Sequence, residues 1–453
     1  MSGFDDALYA HEAKEMLRSG DWWSVRFNGS LNFEYPPLFI WLESASMNFL
    51  GVTDFAAKFP VALLGLATIL LTFYLVLELT QDPWLALISS VVLLSSQYFM
   101  KYATHAMTDV PCAFFITLGV WAYVKGLRKS PFFLLAGLAL AAAVMTRSIV
   151  GLLPLGIFAS HVILTRRFDV LRSPYAIAAV LVTFALPGIW FASQYQLHGR
   201  TFIDAHWSFL SGKVDSVSLS ERLAGFLEYS KLFFRHYWPW LPFLCLGLLM
   251  QGRLLQRRRD SSAALFVLWA AWIVIPFSLA EARVFRYLIP AFPCFAAIAA
   301  TPINQWLSSA QKERCFRYLY GVGAAVVALM FVFPMTRLRA TDMKALAPVA
   351  EAHTNAGQRV IIYVGGRNEW NYRNQFLWYG NRYSDFLNKF DDVMNRLGAG
   401  PQVVIMHSST FDRMKPELES RATVEVLATS ESFVCFRSLP AGSHSSKRTL
   451  TVK

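Results

Sequence analysis

The chain has 453 residues, of which 55% are hydrophobic, 15% aromatic and 16% charged, with a mean hydropathy of +0.38. Soluble proteins carry about 25% charged residues; this composition excludes a soluble cytoplasmic enzyme, and the apolar residues gather into runs long enough to cross a bilayer. The net charge of +12 is concentrated mainly in short loops between those runs, which points to membrane topology and away from a nucleic-acid-binding face.

Residues 1–54 are acidic, with eight acids against Lys14, Arg18 and Arg26. After Asp5 and Asp6, Tyr9, Ala13, Met16 and Leu17 recur at helical spacing with polar residues between them, and Gly20 follows as a stop. This pattern predicts an amphipathic helix lying in the membrane interface. A break at Pro36 and Pro37 precedes a second helix carrying Phe39, Trp41 and Phe49, which returns to the membrane. Ten apolar stretches then read as spans, near 55–79, 84–101, 110–127, 131–146, 149–165, 174–193, 236–250, 262–280, 287–307 and 318–336. Because a span needs roughly 20 residues, those near 131–146 and 236–250 must borrow flanking residues.

Thirteen Lys and Arg residues fall in the alternate loops 125–130, 165–173, 251–260 and 308–317, which makes those loops cytoplasmic. The other short loops hold only Lys101, Arg147, Arg283 and Arg286, so residues 1–54, the stretch 194–235 and everything after 337 are expected outside. An outer N-terminus needs something to insert it, and MSGFDDALYA is neither signal peptide nor span; the expectation is one further apolar helix upstream. From 338 the pattern changes: VIIYVGG, PQVVIMHSS and FVCFRSL read as short strands of a small α/β domain over 338–439, before a disordered tail, 440–453. The expected fold class is therefore mainly α: a polytopic helical membrane protein with outer interfacial helices over 1–54, a transmembrane domain over 55–337 containing the outer loop 194–235, and the small C-terminal domain. The five scattered cysteines form no CxxC pair or metal-ligand spacing, so neither a disulfide framework nor zinc is expected.

Ionisable residues inside or at the edge of a span are costly and mark function by default. Asp5, Asp6, Glu34, Asp109, Arg147, Arg283 and Arg286 all fall at the outer boundary of a topology derived from other residues. Such a set suits glycosyl or phosphoryl transfer: a carboxylate takes the proton of an attacking hydroxyl while arginines hold a departing phosphate. Plainer roles exist for each. Asp5, Asp6 and Asp109 suit helix caps, Glu34 a solvated turn, and the arginines snorkelling to head groups. His206 reads as an ordinary surface histidine, and HYWPWLPF and DWW as interface belts. A transporter or flippase with an outer domain is the rival class, although no repeats or matched midspan charges appear. An inactive scaffold is a third reading.

The ordered motifs FDDALYAHEAKEML, GDWWSVRFNGSLNFEYPPLFIWL, DFAAKFPVALLG, HAMTDVPCAFF, MTRSIVGLLPLG and RVFRYLIPAFPCFA resemble the GT-C superfamily of membrane glycosyltransferases over residues 4–300. They resemble in particular the group containing protein O-mannosyltransferases and the aminoarabinose transferases of lipid A. The resemblance implies that Asp5 is the catalytic acid of an acidic pair with Asp6, and that Asp109 is a further catalytic acid. The family's FEKPP element matches Phe33, Glu34, Tyr35, Pro36 and Pro37, with Tyr35 in place of lysine. Its TKG element matches Thr146, Arg147 and Ser148, and its RYLLP element matches Arg286, Tyr287, Leu288, Ile289 and Pro290. Glu34, Tyr35, Arg147, Arg286 and Tyr287 are then the expected substrate-binding set.

The resemblance further implies a polyprenyl-phosphate sugar donor, inversion at the anomeric carbon, and a glycan, lipid or protein acceptor on the periplasmic side of a bacterial inner membrane. A divalent metal is permitted by the acids and not required. Leu8 stands where some relatives have arginine, and with Tyr35 this favours a hydroxyl acceptor over a phosphate-bearing one. No nucleic-acid partner is expected.

Overall fold

The computed structural model describes residues 1, 5–212, 219–258, 261–281, 283–318, 321, 342–363, 365, 369–398, 400–439 and 450–451. The chain forms two compact units, one built from Met1–Leu31 with Met335–Lys453 and the other from Asn32–Pro334. The first begins with helix α1 (Asp5–Ser19) and the short antiparallel hairpin β1 (Arg26–Phe27) and β2 (Ser30–Leu31).

The second unit is helical: α2 (Leu38–Leu50), α3 (Asp54–Thr80), α4 (Pro83–Ser95), α5 (Gln97–Ala103), α6 (Asp109–Gly126), α7 (Phe132–Arg147), α8 (Leu153–Thr165), α9 (Pro174–His198), α10 (Arg200–Ser211), α11 (Leu219–His236), α12 (Leu241–Arg258), α13 (Ser261–Leu279) and α14 (Phe292–Trp306). Local chemistry sets several ends. The Thr53 hydroxyl accepts from the Ala56 amide at 3.1 Å, capping α3, and the Asp82 carboxylate accepts from the amides of Trp84 and Leu85 at 2.9 and 3.0 Å while Pro83 opens α4. Gln81 closes α3 in a left-handed conformation.

Among the described residues, five helical runs are long and apolar enough to cross a membrane, and six if the bent pair α4–α5, broken by 68°, is one span. This is fewer than the ten expected. Helix α6 carries Asp109 and Lys125 at its two ends, α12 is apolar only over Leu241–Gln256, and the stretch 318–336 falls almost wholly outside the described residues. The run Phe132–Thr165 is apolar over 34 residues, about 50 Å if it were one straight helix. It is broken instead after Arg147, where Ser148 takes φ +49° and the chain folds so closely that a Cβ on Gly151 would collide with the backbone of Ala143 and Val144.

Polar contacts sort the helix ends of this unit into two groups. At one end Lys125 and Arg128 pair with Glu78 at 2.5 and 2.7 Å, Arg167 donates to the Leu127 carbonyl, Ser262 donates to the Leu79 carbonyl and Asn304 donates to Asp82. These are the ends adjoining the arginine- and lysine-rich loops. The segments around 33–37, 98–109, 147–148, 206 and 285–287 associate separately.

The first unit resumes with α15 (Asp342–Ala352), α16 (Glu369–Tyr379), α17 (Phe390–Gly398) and α18 (Ser408–Arg421), and with strands β3 (Val360–Tyr363), β4 (Ser384–Leu387), β5 (Gln402–His407), β6 (Thr423–Thr429), β7 (Phe433–Leu439) and β8 (Leu450–Thr451). The sheet order is β4-β3-β5-β7-β6-β8, parallel across β4-β3-β5, antiparallel across β5-β7-β6 and parallel at β6-β8. The three expected strands are β3, β5 and β7; they read as continuous apolar runs because both faces are covered. Ile362, Ile405 and Cys435 pack with Leu346 and Phe376 on one face, while Ile361, Val404 and Phe436 pack with Val393 and Phe411 on the other. In the expected disordered tail, Leu450 and Thr451 pair with Ala428 and Thr429; the rest of that tail lies outside the described residues.

Helix α1 departs from expectation. Its polar residues Asp6, His11, Glu12, Lys14 and Glu15 are each at most 5% exposed, so it is no interfacial helix with a solvated polar face. The Lys14 ammonium donates to the carbonyls of Trp378 and Gly380 at 2.7 and 2.6 Å, at the C-terminal end of α16, where the helix dipole favours a cation. Glu15 accepts from the Gly29 amide at 2.9 Å and lies 3.5 Å from the His11 imidazole. Asn28 exchanges two hydrogen bonds with the backbone of Ser384. These bonds join residues 1–31 to the C-terminal domain, whereas the expected boundary at 54 grouped them with 32–54.

Candidate active site

The site is assembled in the helical unit from five separate pieces of chain. Asp109 opens α6 and Arg147 closes α7; the two helices pack along each other, so a carboxylate at one start meets a guanidinium at the other end. Their side chains are 2% and 6% exposed and form a buried ion pair through Arg147 Nη1 and Asp109 Oδ1. The next piece is the 3-10 turn Phe285–Ala291, which places the Tyr287 ring 5.0 Å from the Arg147 guanidinium carbon and 5.7 Å from that of Arg286. One phenol thus stands beside two cations.

The segment around Pro36 supplies Glu34 and Tyr35. The Tyr35 phenol lies within electrostatic reach of Arg147, Tyr287, Asp109 and Glu34, and burial pushes its pKa well above the ordinary 10 against the pull of Arg147. It therefore stays a neutral hydrogen-bonding group. Its ring meets Phe209 of α10 edge-on at 4.9 Å. Helix α10 also brings in His206, whose Nδ1 lies 2.7 Å from the Phe33 carbonyl oxygen and whose Nε2 lies 3.1 Å from the Ser148 hydroxyl. Burial lowers the affinity of this imidazole for a proton, opposed by the Phe33 carbonyl. On the side of Arg286, Tyr98 of α5 packs against His236 at 4.7 Å and Phe285 at 5.0 Å.

Chemically this is an anion-holding arrangement. Arg147 and Asp109 offset each other and fix each other's geometry, Arg286 adds a second guanidinium, and Tyr35 and Tyr287 offer phenols. The structure brings together Glu34, Tyr35, Asp109, Arg147, Arg286 and Tyr287, all expected from sequence. Arg283 is directed elsewhere, to Glu228 of α11 at 2.9 Å. Asp5 and Asp6 stand in the first turn of α1 in the other unit, Asp6 fully buried and Asp5 half-buried. Among the described residues, no three His, Cys, Asp or Glu side chains are grouped to hold a metal ion.

Residues 4–203 match the family model described as dolichyl-phosphate-mannose-protein mannosyltransferase. An uncharacterized protein of Aquifex aeolicus is 30% identical over 73% of this chain and 66% of its own length. An undecaprenyl phosphate-alpha-4-amino-4-deoxy-L-arabinose arabinosyl transferase of Aeromonas hydrophila is 26% identical over 73% of this chain and 62% of its own. In fold, the chain is similar to the crystal structure of ArnT from Cupriavidus metallidurans bound to undecaprenyl phosphate, with a TM-score of 0.70 over 96% of this chain and 94% of that one at 16% identity. Over residues 4–203 the chain is thus similar to that mannosyltransferase family, and over nearly its whole length it has the fold of the ArnT structure. It spans just under two thirds of the length of the Aquifex and Aeromonas relatives.

The matched stretch carries Asp5, Glu34, Tyr35, Asp109 and Arg147; Arg286 and Tyr287 lie beyond it, and the fold of the helical unit brings them to Tyr35, Asp109 and Arg147. Sequence reasoning missed His206 and Tyr98. His206 gives no signal in a polar loop, since its burial depends on Phe191 and Phe202 closing over it at 5.3 and 5.9 Å. Tyr98 lies in what reads as an unbroken span; only the bend at Ser96 makes it a neighbour of Arg286.

Proposed function

We propose that this chain is a membrane glycosyltransferase of the GT-C type, transferring a sugar from a polyprenyl-phosphate-linked donor to a hydroxyl of a glycan, lipid or protein acceptor at the periplasmic face of a bacterial inner membrane. The observation that carries the reading is the pair of guanidiniums, Arg147 and Arg286, on one tyrosine ring beside a buried carboxylate. Cleaving the bond from anomeric carbon to phosphate oxygen leaves negative charge on the lipid phosphate, and fixed guanidiniums stabilise that charge as it develops.

Asp5 then takes the proton of the acceptor hydroxyl as its oxygen attacks the anomeric carbon from the side opposite the phosphate, so the configuration inverts. Asp6 supports it. Asp109 acts through Arg147, holding the guanidinium in place, and Glu34 and Tyr35 orient sugar or acceptor groups. Tyr35, in place of a lysine, removes a cation that would suit a phosphate on the acceptor. With purified lipid-linked sugar and the protein in nanodiscs, Asp5→Asn should lower turnover by at least about a thousandfold while the variant still inserts and binds donor. Wild-type turnover by that variant would remove Asp5 from the mechanism. Movement of the lipid-linked sugar between leaflets without any transfer product would favour a flippase instead.

A further inference from the structure

His206 bridges two points of the candidate site, and its partners decide which form it takes. The Phe33 carbonyl can only accept, so Nδ1 carries the hydrogen; Nε2 is then a lone pair that accepts from the Ser148 hydroxyl. Phe33 immediately precedes Glu34 and Tyr35, and Ser148 immediately follows Arg147. A single neutral imidazole therefore sets the spacing between the acid and phenol of one segment and the guanidinium of another. Ser148 has a positive φ that serine seldom adopts, and the imidazole holds its side chain from the α10 side. Phe202 stacks on the ring and Phe191 meets its edge, which leaves it little freedom to turn.

We infer that His206 is a positioning residue for sugar transfer, locking the Phe33–Tyr35 segment and the Arg147–Ser148 turn in register through its Nδ1–H and Nε2. This rests on the transfer reading above. Protonation would replace the accepting lone pair with a donor. It would also add a cation to a neighbourhood that already holds Arg147, with Glu34 and Tyr35 beyond Phe33, His198 of α9 against the Phe33 ring at 5.3 Å, and Arg200 and Asp204 on α10 itself. Acid should thus undo the lock at a pH below the ordinary 6.5 of histidine.

The test measures kcat and KM for the lipid-linked donor between pH 5 and 8 in wild type, His206→Ala, His206→Gln, Ser148→Ala and His206→Ala/Ser148→Ala. His206→Ala should lower kcat/KM about 10- to 100-fold, the scale of an ångström of misplacement in a catalytic constellation. His206→Gln, which cannot titrate yet keeps a donor and an acceptor, should recover part of that loss and abolish the wild-type fall in kcat/KM on the acid side. The double variant should lose less than the product of the two single losses. Unchanged kinetics in His206→Ala overturns the inference, and so does a wild-type acid limb in His206→Gln; if the alanine variant does not fold, His206→Gln and Ser148→Ala decide. A wild-type enzyme inert toward the donor would overturn the transfer reading and this inference together, whereas an active wild type with an indifferent His206 overturns only this one.

Discussion

Both units bury ionisable side chains, and they satisfy them differently. In the helical unit the Arg147 guanidinium meets the full opposite charge of Asp109, delivered from 38 residues away by the packing of α6 on α7. In the first unit the Lys14 ammonium meets mainly backbone dipoles, the carbonyls at the end of α16. A buried charge paired with a counter-charge keeps its protonation state over the whole working range of pH. One held by carbonyls is less secure, and burial draws the Lys14 amine down from its ordinary 10.5 to about 7. Arginine fits the first setting because it does not deprotonate; lysine in the second can lose its charge and still donate.

The largest effect is expected from breaking the ion pair. Arg147→Met removes the proposed phosphate-holding group and strands the Asp109 carboxylate, which costs about 3–5 kcal/mol when a buried partner is lost. Transfer should fall by about a thousandfold or more. Arg147→Gln combined with Asp109→Asn should restore much of the thermal stability in detergent and none of the transfer. If the double variant is no more stable than Arg147→Met, the pair does not govern the fold at this end.

The Lys14 contrast predicts a smaller, pH-dependent effect. Lys14→Met leaves the carbonyls of Trp378 and Gly380 without their donor and should destabilise the first unit by about 1–3 kcal/mol, seen as faster amide hydrogen exchange in α16. The folded amine holds its proton less tightly than the unfolded one, so between about 7 and 10.5 the unfolded chain binds more protons. Stability of the wild-type unit should therefore rise with pH across that window, other groups being equal, and fall back toward pH 7. Lys14→Met should lack this slope; a variant that keeps it would assign the slope to another group.

The same contrast explains what could be read from the sequence. Hydropathy located the helical unit well because lipid tolerates few charges, so Lys125, Arg128 and Arg167 mark helix ends wherever they occur. It also brought out Asp109, Arg147 and Arg286 as exceptions worth explaining. It misread α1, because the spacing of Tyr9, Ala13, Met16 and Leu17 shows which residues are apolar but cannot show that Lys14 and Glu15 have buried partners at Gly380 and Gly29. Strands β4 and β6 escaped notice for a related reason: SDFL is too short and polar to stand out, and TVEVLAT is half covered. The break after Arg147 depends on a positive φ at a serine, which no pattern in TRSIVG announces. His206 needed the fold most of all, since each of its partners comes from a different helix end.

The finest test of the comparison lies between the two guanidiniums. Tyr287 contributes a ring to both Arg147 and Arg286, and each such contact is worth about 0.5–1 kcal/mol where solvent reaches it and more where it does not. Tyr287→Leu should therefore raise KM for the lipid-linked donor about 2- to 10-fold while leaving kcat near wild type, because the ring orients the cations before the bond breaks and carries no charge of its own. Tyr287→Phe keeps the ring and should change KM by less than about twofold if the hydroxyl makes no contact with donor. If the phenylalanine variant is as impaired as the leucine variant, the phenol hydroxyl itself touches the phosphate, and Tyr287 is a direct ligand where the ring contacts alone describe a spacer.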